Sequence, residues 1–154
     1  MKWLLISSGA ILIILILIVL NYLYFKHRKV LNKRYFQNKW KKLQSQCHNK
    51  QTWYLAIIDA DKLLDEALTK RHFSGRSTGE KLVSAQHELS INKQIWSAHN
   101  FKKKIVENKI TKLNKKETVA ALNTFREALS ELGAINLKKQ MKKKDSYGTR
   151  SKKI

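Results

Sequence analysis

The chain has 154 residues, with 32 Lys and Arg against 11 Asp and Glu, a formal net charge of +21, no proline and one cysteine. That length fits one modest domain with appendages and is too short for a multidomain enzyme. A single cysteine excludes a disulfide framework, no Cys/His group has zinc-ligand spacing, and the lack of proline favours helices over a turn-rich all-β fold.

The charge is unevenly placed. Residues 26–50 carry nine Lys/Arg and no acid, residues 138–154 carry eight with Asp145 as the one acid, and residues 51–137 hold fourteen basic against ten acidic side chains. A near-balanced domain flanked by two cationic arms is the pattern of a tethered module, not of a uniformly basic nucleic-acid-binding fold. The expected organisation is a transmembrane anchor over 1–25, a basic juxtamembrane helix over 26–50, a helical bundle over 51–137 and a disordered basic tail over 138–154.

From Trp3 to Phe25 there is no charged residue, and residues 11–20 are wholly aliphatic. About 20 apolar residues suffice to cross a roughly 30 Å hydrocarbon core as a helix. Trp3 lies near one end and Tyr22, Tyr24 and Phe25 near the other, where aromatic rings favour the interface. A cleaved signal peptide is the competing reading. Against it, the apolar run exceeds a usual h-region and is followed by basic residues instead of a small-residue cleavage site. Lys26, Arg28, Lys29, Lys33 and Arg34 follow the span and only Lys2 precedes it. The expected placement is therefore a single-pass protein of the cell's inner (plasma) membrane, N-terminus outside, with its C-terminal domain cytoplasmic and Cys47 a free thiol.

In the neck, Phe36, Trp40, Leu43 and Cys47 recur at helical spacing. The surrounding cations, and Lys26, Arg28, Lys29, Lys33 and Arg34 in particular, are candidates for contact with an anionic inner leaflet. Phosphate contact with RNA is the alternative, and orientation of the span with the apolar stripe packed on the bundle is the simplest account.

Four helical segments are expected next. The first covers about 52–70, with Leu55, Ile58, Leu64, Ala67 and Leu68 apolar and with Asp59, Asp61, Asp65 and Glu66 polar. Those acids suggest paired-carboxylate or metal chemistry, yet a solvated face paired with Lys62 and neighbouring cations accounts for them. Ser77-Thr78-Gly79-Glu80 reads as a capping box opening a short helix through Leu89. The third helix covers about 91–108, with Ile91, Ile95, Trp96, Ala98, Ile105 and Val106 apolar. Asn114 and Glu117 open a fourth, which carries Val119, Leu122, Phe125, Ala128, Leu129 and Leu132 and closes at Gly133 in the C′ position. Trp53, Trp96 and Phe125 are the expected core anchors, and short connections imply antiparallel packing in a bundle.

Several ordered motifs in this region carry a resemblance. They are Trp53 to Leu68, the loop Gly75-Arg76-Ser77-Thr78-Gly79-Glu80-Lys81-Leu82, Ile95-Trp96-Ser97-Ala98-His99 and Ala128-Leu129-Ser130-Glu131-Leu132-Gly133. Over about residues 51–135 the chain resembles a group of bacterial membrane-anchored proteins whose cytosolic part is similar to the HEPN superfamily of helical bundles. The resemblance implies a small four-helix bundle that dimerises. In active HEPN ribonucleases an Arg, a polar residue and a His on one helix act on RNA, and relatives tend to read Trp-x-Ala-His-x-x-Arg-Asn-x-Ile-Ala-His. Here the Arg position is Lys102, the polar position Lys103 and the His position Glu107, while His99 matches a neighbouring motif position. Lys is a poor substitute for a bidentate guanidinium, and Glu is unsuited to acid–base work near neutral pH.

The sequence thus predicts an all-α protein, an N-terminal transmembrane helix followed by a small HEPN-like four-helix bundle. It predicts a catalytically inactive interaction or scaffold module without cofactor, metal or catalytic residues. The alternative is a membrane-tethered RNA-binding protein or residual ribonuclease. Lys102, Lys103 and Lys104 are the candidate contacts to phosphate, RNA or a partner. Expected partners are anionic membrane lipid, a second copy of the chain, and RNA or an acidic protein.

Overall fold

The computed structural model describes residues 11–20 and 30–136, and every regular element among them is helical. After the helical stretch 11–20 come α1 (Lys33–Gln46), a 3-10 turn (Lys50–Thr52), α2 (Trp53–Lys70), α3 (Thr78–Ser84), α4 (Asn92–Val106) and α5 (Lys115–Glu131).

The expected anchor needs correction. Among the described residues no helix is long and apolar enough to cross a membrane. The structure therefore supports neither a transmembrane helix over 1–25 nor the single-pass inner-membrane placement inferred from it. Residues 1–10 and 21–25, the candidate lipid contacts Lys26, Arg28 and Lys29, and the tail 138–154 lie outside the described residues. Lys33 and Arg34 are exposed at the start of α1.

The helix ends follow the capping chemistry of the sequence. Asn32 and Ser77 each accept a hydrogen bond from the third residue on, Tyr35 N and Glu80 N, and Asn114 accepts one from Lys116 N. Glu80 completes its box from the other side, taking the Arg76 N–H at 2.7 Å, which pulls its carboxyl below the ordinary range. Gly133 closes α5 at φ +76°, with the Ala134 N–H on the Leu129 carbonyl and the Gly133 N–H on that of Ser130. The same pair of bonds closes α2 at His72 and α4 at Asn108, two non-glycine residues held at φ 59° and 54°.

Helix α2 lies at the centre and touches α1, α3, α4 and α5. Its Ala56, Ile57, Ala60, Leu63, Leu64, Ala67 and Leu68 are buried, whereas Leu55 is exposed and Ile58 is half-buried. Phe36, Trp40 and Leu43 of α1, Leu82 of α3, Ile95 and Ile105 of α4, and Phe125 and Leu129 of α5 complete one core. The neck stripe is thus packed on the bundle. Of the three expected aromatic anchors, only Phe125 is fully buried; Trp96 is half-buried against the core. Trp53 sits at the start of α2, half-buried, and donates its indole N–H to the Cys47 carbonyl at 3.0 Å. Phe36 and Trp40 are the buried aromatic residues of α1.

Candidate functional site

Helix α2 touches four other helices, and its acidic side chains reach groups on three of them. Each of its four acids is engaged. Asp59 Oδ2 accepts from Gln46 Nε2 at 3.0 Å. Asp65 takes Lys81 Nζ on both oxygens, at 2.9 and 3.0 Å, and the same ammonium donates to Thr69 Oγ1 at 2.8 Å, so the buried Lys81 uses all three donors. Glu66 accepts from Tyr35 Oη at 2.7 Å and Lys39 Nζ at 2.8 Å, and pairs with Lys70 at 3.1 Å.

The deepest of these groups forms the candidate site. Asp61 is 1% exposed. Its Oδ1 lies 2.7 Å from His99 Nδ1 and its Oδ2 lies 2.9 Å from Lys102 Nζ. His99 and Lys102 are three residues apart on α4, which sets both on the face turned toward α2. Trp96, one turn earlier, presents its ring edge-on to the imidazole with centroids 6.0 Å apart. Gly79 of α3 borders the pair at ordinary van der Waals distance. A Cβ there would meet Trp96 Cη2 at 3.5 Å and His99 Nε2 at 3.8 Å.

A carboxylate holding one imidazole nitrogen is the geometry that orients a histidine for acid–base work. Here the other nitrogen faces α3, and the whole imidazole side chain is 9% exposed. Both carboxylate oxygens are occupied, one by a cation, so the cluster ties α2 to α4. The other sequence-predicted residues do not join it. Lys103 and Lys104 are exposed on the last turn of α4, where cations complement the helix dipole. Glu107, the C-cap, is exposed and pairs with Lys109 at 2.7 Å, and that hydrogen bond draws its carboxyl below the usual range. Lys102 points inward and Glu107 outward, so the two do not converge on a common point. Among the described residues no group of three His, Cys, Asp or Glu could hold a metal ion.

The reading of the α2 acids as a solvated face with neighbouring cations as partners holds for Asp65 and Glu66, which are part-exposed and paired with Lys81 and with Lys39 and Lys70, and fails at Asp61, which is buried against α4. Asp61 and Lys102 are 41 positions apart, beyond any local pattern. The available signal was the coincidence of three acids at 59, 61 and 65 on a helix with apolar residues on more than one side.

The Glu66 cluster makes a pH-dependent contribution. Burial by itself would raise this carboxyl, but the hydrogen bonds from Lys39, Tyr35 and Lys70 outweigh it and hold Glu66 at about 2, against 4.5 ordinarily. A depressed carboxyl stabilises the fold fully above the unfolded-state value and loses that contribution as pH falls from about 4.5 to about 2. The ceiling is about 3 kcal/mol, lowered by solvent screening at this partly exposed site. Urea unfolding across this pH range is expected to show a shallower acid loss for Glu66→Gln than for the wild type. Identical acid slopes would show that the cluster contributes nothing.

No family model matches the chain, and no curated protein or solved structure was found to be similar to it.

Proposed function

We propose that the chain is a non-catalytic, HEPN-like helical interaction module. One observation carries the reading. Lys102, at the position where the resemblance expects a catalytic arginine, is bound to the buried Asp61 and serves the packing of α4 on α2. Glu107, at the expected histidine position, faces solvent with Lys109. A group already committed to an internal carboxylate is poorly placed to act on a substrate. The ordered motifs of residues 51–135 and the helical bundle agree with this assignment.

The test is an RNA-cleavage assay on the full chain with single-stranded and hairpin substrates, beside Glu107→Ala. This exposed substitution leaves the core intact. No cleavage above buffer is expected from either protein. Cleavage by the wild type that disappears in Glu107→Ala would overturn the reading. RNA retention without cleavage, lost in the Lys103→Ala/Lys104→Ala double variant, would establish instead the RNA-binding alternative, which the exposure of those two lysines favours.

A further inference from the structure

At the end of the bundle where α2 begins and α4 ends, the 3-10 turn, the first turn of α2 and the segment linking α4 to α5 enclose a groove of about 530 Å³. Its apolar wall is Ile105, which is buried, with Ile110 and Leu113, both half-buried. Tyr54 stands beside them with 45% of its surface exposed. Lys50 and Lys112, both exposed, border the opening, and no acidic residue lines it. Glu107, nearby in sequence, is bound to Lys109 and is not part of the lining.

The two turns that flank the groove are fixed by hydrogen bonds. Asn49 caps the 3-10 turn through Gln51 N at 2.9 Å. On the other side the Asn108 and Lys109 N–H groups bond back to the carbonyls of Ile105 and Lys104, fixing the exit from α4.

We infer that this groove docks an acidic linear peptide, with an aliphatic side chain inserted among Ile105, Ile110 and Leu113 and carboxylates placed on Lys50 and Lys112. The inference rests on the interaction-module reading and names the partner chemistry. Charge complementarity selects the sign of the partner, since cations border the opening and no carboxylate lines it. The apolar wall selects a peptide over a nucleic acid. Single-stranded nucleic acid is held by successive aromatic platforms along a basic track, whereas this wall is aliphatic with one tyrosine.

The experiment is an NMR titration of the full chain with a fluorescein-free acetylated hexapeptide, Glu-Glu-Leu-Leu-Glu-Glu, and a fluorescence-anisotropy titration with its labelled form. The comparison probes are the same peptide with Ser in place of Leu and an oligouridylate of equal charge. The leucine peptide is expected to shift the methyl signals of Ile105, Ile110 and Leu113 and the ring signals of Tyr54. Its affinity is expected to exceed that of the serine peptide at least tenfold and to fall at least tenfold in Lys50→Glu/Lys112→Glu, both exposed positions. Equal binding of the serine peptide, tighter binding of oligouridylate in this groove, shifts that map elsewhere, or no binding would each overturn the docking site. The cleavage assay judges the module reading separately. A chain that neither cleaves RNA nor binds the peptide loses this groove assignment alone.

Discussion

Replacing Lys102 by methionine is expected to lower the unfolding free energy by about 3–5 kcal/mol, because it removes the cation from a buried ion pair and leaves the carboxylate uncompensated. Asp61 is 1% exposed, and with Lys102 gone its Oδ2 has lost its ammonium partner while His99 holds only Oδ1. Domains of this size are stable by roughly 5–15 kcal/mol, so the variant approaches the unfolding threshold. Lys103→Met, one residue along and exposed, is expected to change stability by less than about 0.5 kcal/mol. The double variant Asp61→Leu/Lys102→Met removes both charges and is expected to recover much of the loss, since apolar replacement of a buried pair is often close to neutral. Urea unfolding followed by circular dichroism measures all three. If Lys102→Met behaves like Lys103→Met, Lys102 is a surface lysine and the argument against its participation in chemistry falls with it.

Truncating Phe125 to alanine is expected to cost about 3–5 kcal/mol through lost transfer energy and the cavity left behind. The ring is completely buried on α5, which packs against both α2 and α4, so a void there loosens two helix contacts at once. Val119→Ala provides the comparison on the same helix, because Val119 is 47% exposed and its truncation removes little buried surface. Thermal unfolding separates the two. Equal midpoints would show that α5 presents a different face to the core.

Local patterns carried most of the fold. The limits of α2, α4 and α5 agree with the apolar spacing, and Ser77, Asn114 and Gly133 stand at the helix ends that their capping chemistry announced. Periodicity was less informative about how many neighbours each helix has. An amphipathic pattern shows that α2 has one wet face, where Leu55, Lys62 and Thr69 are exposed, but not that four helices pack around the rest of it, so that Asp61, Asp65 and Glu66 became interhelical contacts. Size misled in the case of Trp53, whose indole N–H has a carbonyl partner at the helix start while Phe36 and Trp40 fill the core. The aliphatic composition of residues 11–20 suggested a membrane span, but among the described residues no helix is long and apolar enough to cross a membrane. Within the candidate site, the resemblance singled out Lys102; its partner Asp61 became visible only when α2 and α4 were brought together.

The distribution of acids along α2 also constrains which arrangements of the bundle are tolerable. Asp59 and Glu66 are matched by Gln46, Tyr35 and Lys39 of α1, Asp65 by Lys81 of α3, and Asp61 by His99 and Lys102 of α4. Three of the four surrounding helices, α1, α3 and α4, thus have a docking residue on the central one. If two of them exchanged places, or one slid by a turn, a carboxylate or an ammonium would be buried without its counterpart. Apolar contact alone permits many ways of stacking helices, and a misplaced charge penalises the wrong ones. The acids of α2 therefore serve as addresses that distinguish the native packing order from its near neighbours.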